Sequence, residues 1–116
     1  MTLREVAAVA GAEILTGELG LEREVAKAFG SDLMSDVLAY AKPGSLLLTG
    51  LTNPQVVRTA DIADLAAIVF VRGKRPSGEM IELARQVGIP LMSAPETMFA
   101  VAGKLYQAGI RGCDIA

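Results

Sequence analysis

Three short apolar runs, each followed by a turn and a helix-like pattern, constrain this chain more than any other feature. They are Ser45-Leu-Leu-Leu-Thr49, Ala66-Ala-Ile-Val-Phe-Val71 and Ile89-Pro-Leu-Met92. The middle run in particular shows no alternation of apolar with polar residues, so its predicted strand is buried on both faces. Such strands occupy the middle of a parallel sheet covered by helices on either side. Strand–turn–helix units in series join by right-handed crossovers. The predicted class is α/β: a single-domain sandwich, residues 1–116, with a small, mainly parallel sheet covered by helices.

Composition supports that class and removes several functions. Hydrophobic residues make up 52% of the chain, yet aromatics only 4% and Trp is absent. The core must therefore come from Ala, Val, Ile, Leu and Met, as parallel sheets prefer. Eleven cations against thirteen anions give a formal charge of −2. That balance offers no basic face for nucleic acid. No apolar run approaches the roughly 20 residues of a membrane span. Thr2-Leu-Arg-Glu5 lacks the basic-then-apolar order of a signal peptide. A single cysteine, Cys113, excludes an intrachain disulfide framework and fits a reducing compartment. A cytoplasmic location, with no membrane and no nucleic acid as partner, is the expectation.

The chain contains no histidine. The side chain best suited to proton transfer near neutral pH is thus missing. Ser-His and Cys-His nucleophile pairs are excluded within the chain, as is any zinc site that needs His. Gly73-Lys74 does not open a phosphate-binding P-loop, because Ile68 stands where Gly is needed and Arg75 where Ser or Thr is needed. No G-x-G-x-x-G occurs. The chain is expected not to be an enzyme, and to need no cofactor or metal.

Local signals place the other elements. Thr2 and Glu5 form a T-x-x-E capping box for a helix with Leu3, Val6, Ala7 and Ala10 on one face, ended by Gly11. Residues 12–16 are a short strand and 17–20 a turn. Residues 22–29 are read as a strand, from the alternation of Val25, Lys27 and Phe29. Ser31 or Asp32 is expected to cap a helix to about Ala41, burying Leu33, Val37, Leu38 and Ala41. Asp32 and Asp36 are read as a cap and a solvated acid in preference to a cation site. Thr52 or Asn53 caps a third helix, with Pro54 in its first turn, Gln55 able to complete a box, and a stripe of Val56, Val57, Ala60 and Ala63. Ser77 precedes a helix ended by Gly88. Ser93 and Glu96 are read as a box for a last helix to about Ala108, buried through Met98, Val101, Ala102 and Leu105. Residues 109–112 are its exit, and the tail to Ala116 is expected to fray.

Ligands of open parallel sheets bind beyond the carboxyl ends of the strands. Three loops meet that description: 49–53, with Thr49, Gly50, Thr52 and Asn53; 72–77, with Arg72, Gly73 and Lys74; and 93–97, with Ser93 and Thr97. Each leads into a helix N-terminus, where amide groups and the helix dipole favour an anion. Adjacent strands would bring them together around a nucleotide or phosphorylated metabolite. The aliphatic composition also suggests more apolar surface than so short a chain can cover, hence a homodimer.

The succession Asp32-Leu-Met-Ser-Asp-Val-Leu38, Gly44-Ser-Leu-Leu-Leu-Thr-Gly50, Thr52-Asn-Pro-Gln-Val-Val-Arg-Thr-Ala60, Ile68-Val-Phe-Val-Arg-Gly-Lys74, Ile81-Glu-Leu-Ala84 and Ile89-Pro-Leu-Met-Ser93 resembles the DRTGG domain family. The resemblance runs from about Thr2 to Gly109. It implies the fold of the N-terminal domain of HPr kinase/phosphorylase, and a regulatory or dimerising role beside phosphotransacetylases or CBS domains. It also implies an alternative, an interaction subunit of a redox or hydrogenase system that docks on a partner enzyme and takes no small molecule. The name-giving D-R and T-G-G are absent from this chain; their places fall at Thr52-Asn53 and in the Arg72–Lys74 loop.

Overall fold

A computed structural model describes residues 1–113. The elements run α1 (Leu3–Ala10), β1 (Glu13–Thr16), a single 3₁₀ turn (Glu18–Gly20), β2 (Lys27–Gly30), α2 (Met34–Tyr40), β3 (Leu46–Thr49), α3 (Pro54–Ile62), β4 (Ala67–Phe70), α4 (Gly78–Val87), β5 (Leu91–Ser93), α5 (Met98–Gln107) and β6 (Arg111–Gly112). The expected fraying of the tail falls on residues 113–116, of which 114–116 lie outside the described residues.

The six strands form one sheet in the order β1-β5-β4-β3-β2-β6. All neighbours are parallel except β1, which runs antiparallel to β5. The mainly parallel α/β sandwich expected from the apolar runs is therefore the fold. Successive residues of the middle strands point to opposite faces. Leu46, Leu48, Ala67, Val69 and Met92 join the core under α1 and α5. Leu47, Ile68, Phe70 and Leu91 join the core under α2, α3 and α4. Every residue of β3, β4 and β5 is buried. Each fully buried Leu or Ile contributes about 1.5–3 kcal/mol relative to an exposed one.

The helices follow their caps where local chemistry decides. The Thr2 hydroxyl accepts from the Glu5 amide while the Glu5 carboxylate accepts from the Thr2 amide, and Gly11 closes α1 at φ 62°. Asn53 caps α3 by accepting from the Gln55 amide at 2.9 Å, with Pro54 as the first helical residue. Ser77 caps α4, and Gly88 ends it at φ 78°. Met80 and Met92 are fully buried, and Met34 and Met98 pack at the core margins.

Elsewhere tertiary contacts override the local reading. The span 22–29 is not one strand. Its first half lies across the start of α1, where Leu3 N–H donates to Arg23 C=O (3.0 Å) and Val25 N–H to Met1 C=O (2.7 Å). Only Lys27–Gly30 enters the sheet. Neither Ser31 nor Asp32 caps α2. Leu33 holds the N-cap position without a side-chain bond, and only Val37 of the predicted apolar face is buried. Leu33 and Leu38 are exposed. The Ser93–Glu96 box does not form either. Ser93 ends β5, and Thr97 is the N-cap of α5 without a side-chain bond. Ala102 faces solvent, whereas Val101 and Leu105 are buried. The exit 109–112 adds a short edge strand, β6, beside β2.

The two Thr caps can be told apart by experiment. Thr2→Ala is expected to lower stability by about 1 kcal/mol, and Thr97→Ala to leave it within about 0.5 kcal/mol. Urea unfolding of both variants checks the pair; equal losses would contradict the cap assignments.

Candidate functional site

Register sets the geometry of the carboxyl edge. Thr49 of β3 pairs with Phe70 of β4, which pairs with Ser93 of β5, so the three strands end level. Gly30 of β2 lies beside Leu48, one residue short of that line. The loops after β3, β4 and β5 are thus neighbours, as the sequence led us to expect. Antiparallel β1 starts at the same edge, with Glu13 opposite Ser93.

The loops are bound to one another through the main chain. Arg72 N–H donates to Glu96 C=O at 2.7 Å, Gly73 N–H to Ala94 C=O at 2.8 Å and Lys74 N–H to Val71 C=O at 3.1 Å. The buried Ser93 hydroxyl donates to Lys74 C=O at 2.7 Å. To make these bonds Arg72 and Gly73 take the left-handed region, at φ 59° and 67°. The amides of Arg72, Gly73 and Lys74, which a phosphate-cradling loop would offer to a ligand, are therefore already satisfied inside the protein.

Side chains define what remains. The carboxylate Oδ1 of Asp32 accepts from the Thr49 hydroxyl at 3.0 Å and from Gly50 N–H at 2.7 Å. The Thr49 hydroxyl in turn accepts from Leu51 N–H at 3.1 Å. Asp32 is thus neither cap nor free surface acid, as the sequence reading had it, but the tie between the β2 and β3 loops. The Arg72 guanidinium lies against the Gly50 backbone, where any β-carbon would collide with it. Arg72 and Lys74 are exposed and take part in no ion pair among the described residues. Arg75 is engaged instead, with Nη2 at 2.9 Å from Glu13 Oε2. Glu96 pairs with Lys104.

The predicted residues thus divide. Thr49, Gly50, Arg72, Gly73, Lys74 and Ser93 come together along one edge. Asn53 spends its side-chain acceptor on Gln55, and Thr52 is half-buried with no side-chain bond among those described. Thr97 is exposed, and its hydroxyl caps nothing. Sequence reasoning missed Asp32 and Glu13 as members. No local signal marks either, since their partners lie 17 and 62 residues away. Among the described residues no group of three or more His, Cys, Asp or Glu side chains could hold a metal ion. No helix there is long and apolar enough to cross a membrane.

Two measurements follow from this edge. Asp32→Ala removes a charged acceptor from two donors, one on the buried Thr49, and is expected to cost about 1–3 kcal/mol. Asp36→Ala should change stability by less than about 0.5 kcal/mol; urea unfolding of both checks the contrast. The hydrogen bond from Arg75, and then its charge, holds the Glu13 carboxyl below its ordinary value of 4.5. The stabilisation by this pair is complete above pH 4.5 and disappears as pH falls through the lowered value. NMR titration should place the Glu13 midpoint below 4.5 and return it toward 4.5 in Arg75→Ala; an unmoved midpoint would contradict the pair.

Comparison with known proteins agrees with this fold. No curated protein sequence matches the chain. Among solved structures, it is similar to the CBS and DRTGG domains of the regulatory region of Clostridium perfringens pyrophosphatase, in complex with the activator diadenosine tetraphosphate. The TM-score is 0.77 at 17% identity, over 94% of this chain and 47% of that one. The chain therefore spans about half the length of that neighbour, and the likeness concerns the fold. Residues 5–108 match the DRTGG domain. With nearly its whole length covered and the same sheet beneath, the chain belongs to the DRTGG domain family.

Proposed function

We propose that this chain is a non-catalytic, dimeric regulatory domain of the cytoplasm that binds an anionic small molecule, a nucleotide or a phosphorylated metabolite. The carrying observation is the pair Arg72 and Lys74, two exposed cations without ion pairs among the described residues, on a loop whose backbone is held by its neighbours. A fixed loop presents these charges with little backbone ordering left to lose on binding. Because the amides of Arg72, Gly73 and Lys74 are occupied, recognition rests on the two side chains, with Thr49, Gly50 and Ser93 supporting them. The C. perfringens regulatory region, solved with a dinucleotide activator, lends weight to the nucleotide class. The absence of His, the side chain best suited to proton transfer near neutral pH, supports a role without catalysis.

A ligand that binds only the folded state raises its apparent stability. Thermal unfolding with ATP, ADP, diadenosine tetraphosphate and small phosphorylated metabolites is therefore expected to show a shift of several degrees for at least one. Arg72→Glu and Lys74→Glu should each abolish the shift while melting normally without ligand. No shift at millimolar ligand overturns the anion site.

A second reading, an accessory subunit docking on a redox enzyme, is favoured by α5, which exposes Phe99 (90%) and Tyr106 (59%). Exposed aromatics at helical spacing are typical of protein contacts. In that case a partner captured from the native host is lost on Phe99→Glu.

A further inference from the structure

The opposite end of the sheet carries a feature the anion site does not use. A cavity of about 290 Å³ lies between the turn 17–20 and the C-terminal end of α4. Its floor is formed by Thr16, Ala84, Ile89 and Pro90, all buried, and its rim includes Glu18, Leu19 and Arg85. Leu19 is fully exposed, at 104%. It does not sit on a loose loop. Gly20 N–H donates to Gly17 C=O at 2.9 Å, and Arg4 N–H reaches Leu21 C=O at 3.0 Å. Gly17, at φ 91°, lies so close to Pro90 that a β-carbon would overlap it. The fold thus holds a leucine out in water beside an apolar hollow large enough to take one.

We propose that this turn and hollow form a self-complementary surface on which a second copy of the chain seats about a two-fold axis. The inference rests on the dimeric reading above and supplies its surface. A two-fold contact needs projection and recess on the same patch, because each copy must give what it receives. Leu19 and the hollow satisfy that condition. The charges satisfy it too. Glu18 is in no ion pair among the described residues, and Arg85 reaches only Glu82, at 3.9 Å. The two-fold sets Glu18 of each copy toward Arg85 of the other, so both rim pairs join opposite charges. A small-molecule site fits less well. The hollow is at the lower limit of ligand pockets, about 300 Å³.

Sedimentation velocity of the full chain over a range of concentrations tests the proposal, with thermal unfolding to verify that each variant folds. The wild type is expected to dimerise. Leu19→Glu, Glu18→Arg and Arg85→Glu should each weaken the dimer about tenfold or more, the effect of roughly one reversed pair on each side of the axis. An equal mixture of Glu18→Arg and Arg85→Glu chains should regain the dimer, because in the mixed pair every contact again joins opposite charges. A wild type that stays monomeric overturns both the dimeric reading and this surface. A dimer indifferent to Leu19→Glu overturns the surface and leaves the dimeric reading standing. Weakened single variants whose mixture stays monomeric overturn the two-fold pairing.

Discussion

The burial of β4 on both faces is the constraint from which the rest follows. Its neighbours β3 and β5 occupy both of its hydrogen-bonding edges. Ala67 and Val69 point into one core, Ile68 and Phe70 into the other. Such a strand cannot lie at a sheet edge or face water on one side. It requires cover on both faces, which parallel strands joined by helical crossovers supply. Burial of both faces fixes the register of these strands, and in that register their ends are level. The alignment of Thr49, Phe70 and Ser93, and with it the meeting of three loops, is a consequence of the core.

At that meeting point the protein satisfies its own backbone before it can serve a ligand. Buried or crowded amides without partners are costly. Here the β4 loop takes a left-handed turn at Arg72 and Gly73 so that its amides reach Glu96 and Ala94. The result is an edge whose main chain is stiff and whose remaining chemistry lies in charged side chains. Asp32 extends the same logic to the β2 loop, fixing Gly50 and Thr49 and so the surface against which Arg72 lies.

The two ends of the sheet therefore offer different things. The carboxyl edge presents cations on a fixed frame. The amino end presents an apolar hollow with a projecting leucine, held by the contact of Gly17 with Pro90. The two surfaces lie at opposite ends of the same strands, so substitutions can address binding at one and association at the other separately.

Much of this was legible in the amino-acid order. Apolar runs without alternation specify buried parallel strands, and Thr2 with Glu5, Asn53 with Pro54, and Ser77 with Gly88 specify helix ends, because caps act within one turn of chain. The loops after β3, β4 and β5 could be named as candidates for the same reason. Signals that look identical locally failed where a distant partner competed. Asp32 could cap a helix, but two donors on the neighbouring strand hold it better than one helix amide. Ser93 could begin a capping box, but the Lys74 carbonyl across the loop takes its hydroxyl. Residues 23–25 could pair in the sheet, but the start of α1 takes them first. The sequence by itself determined the α/β class, the central strands and most helix ends, since these depend on periodicity and short-range bonds. Only the tertiary structure decided the strand order, the role of Asp32 and Glu13, and which cation of the β4 loop finds a carboxylate, since each depends on residues brought together from far apart in the chain.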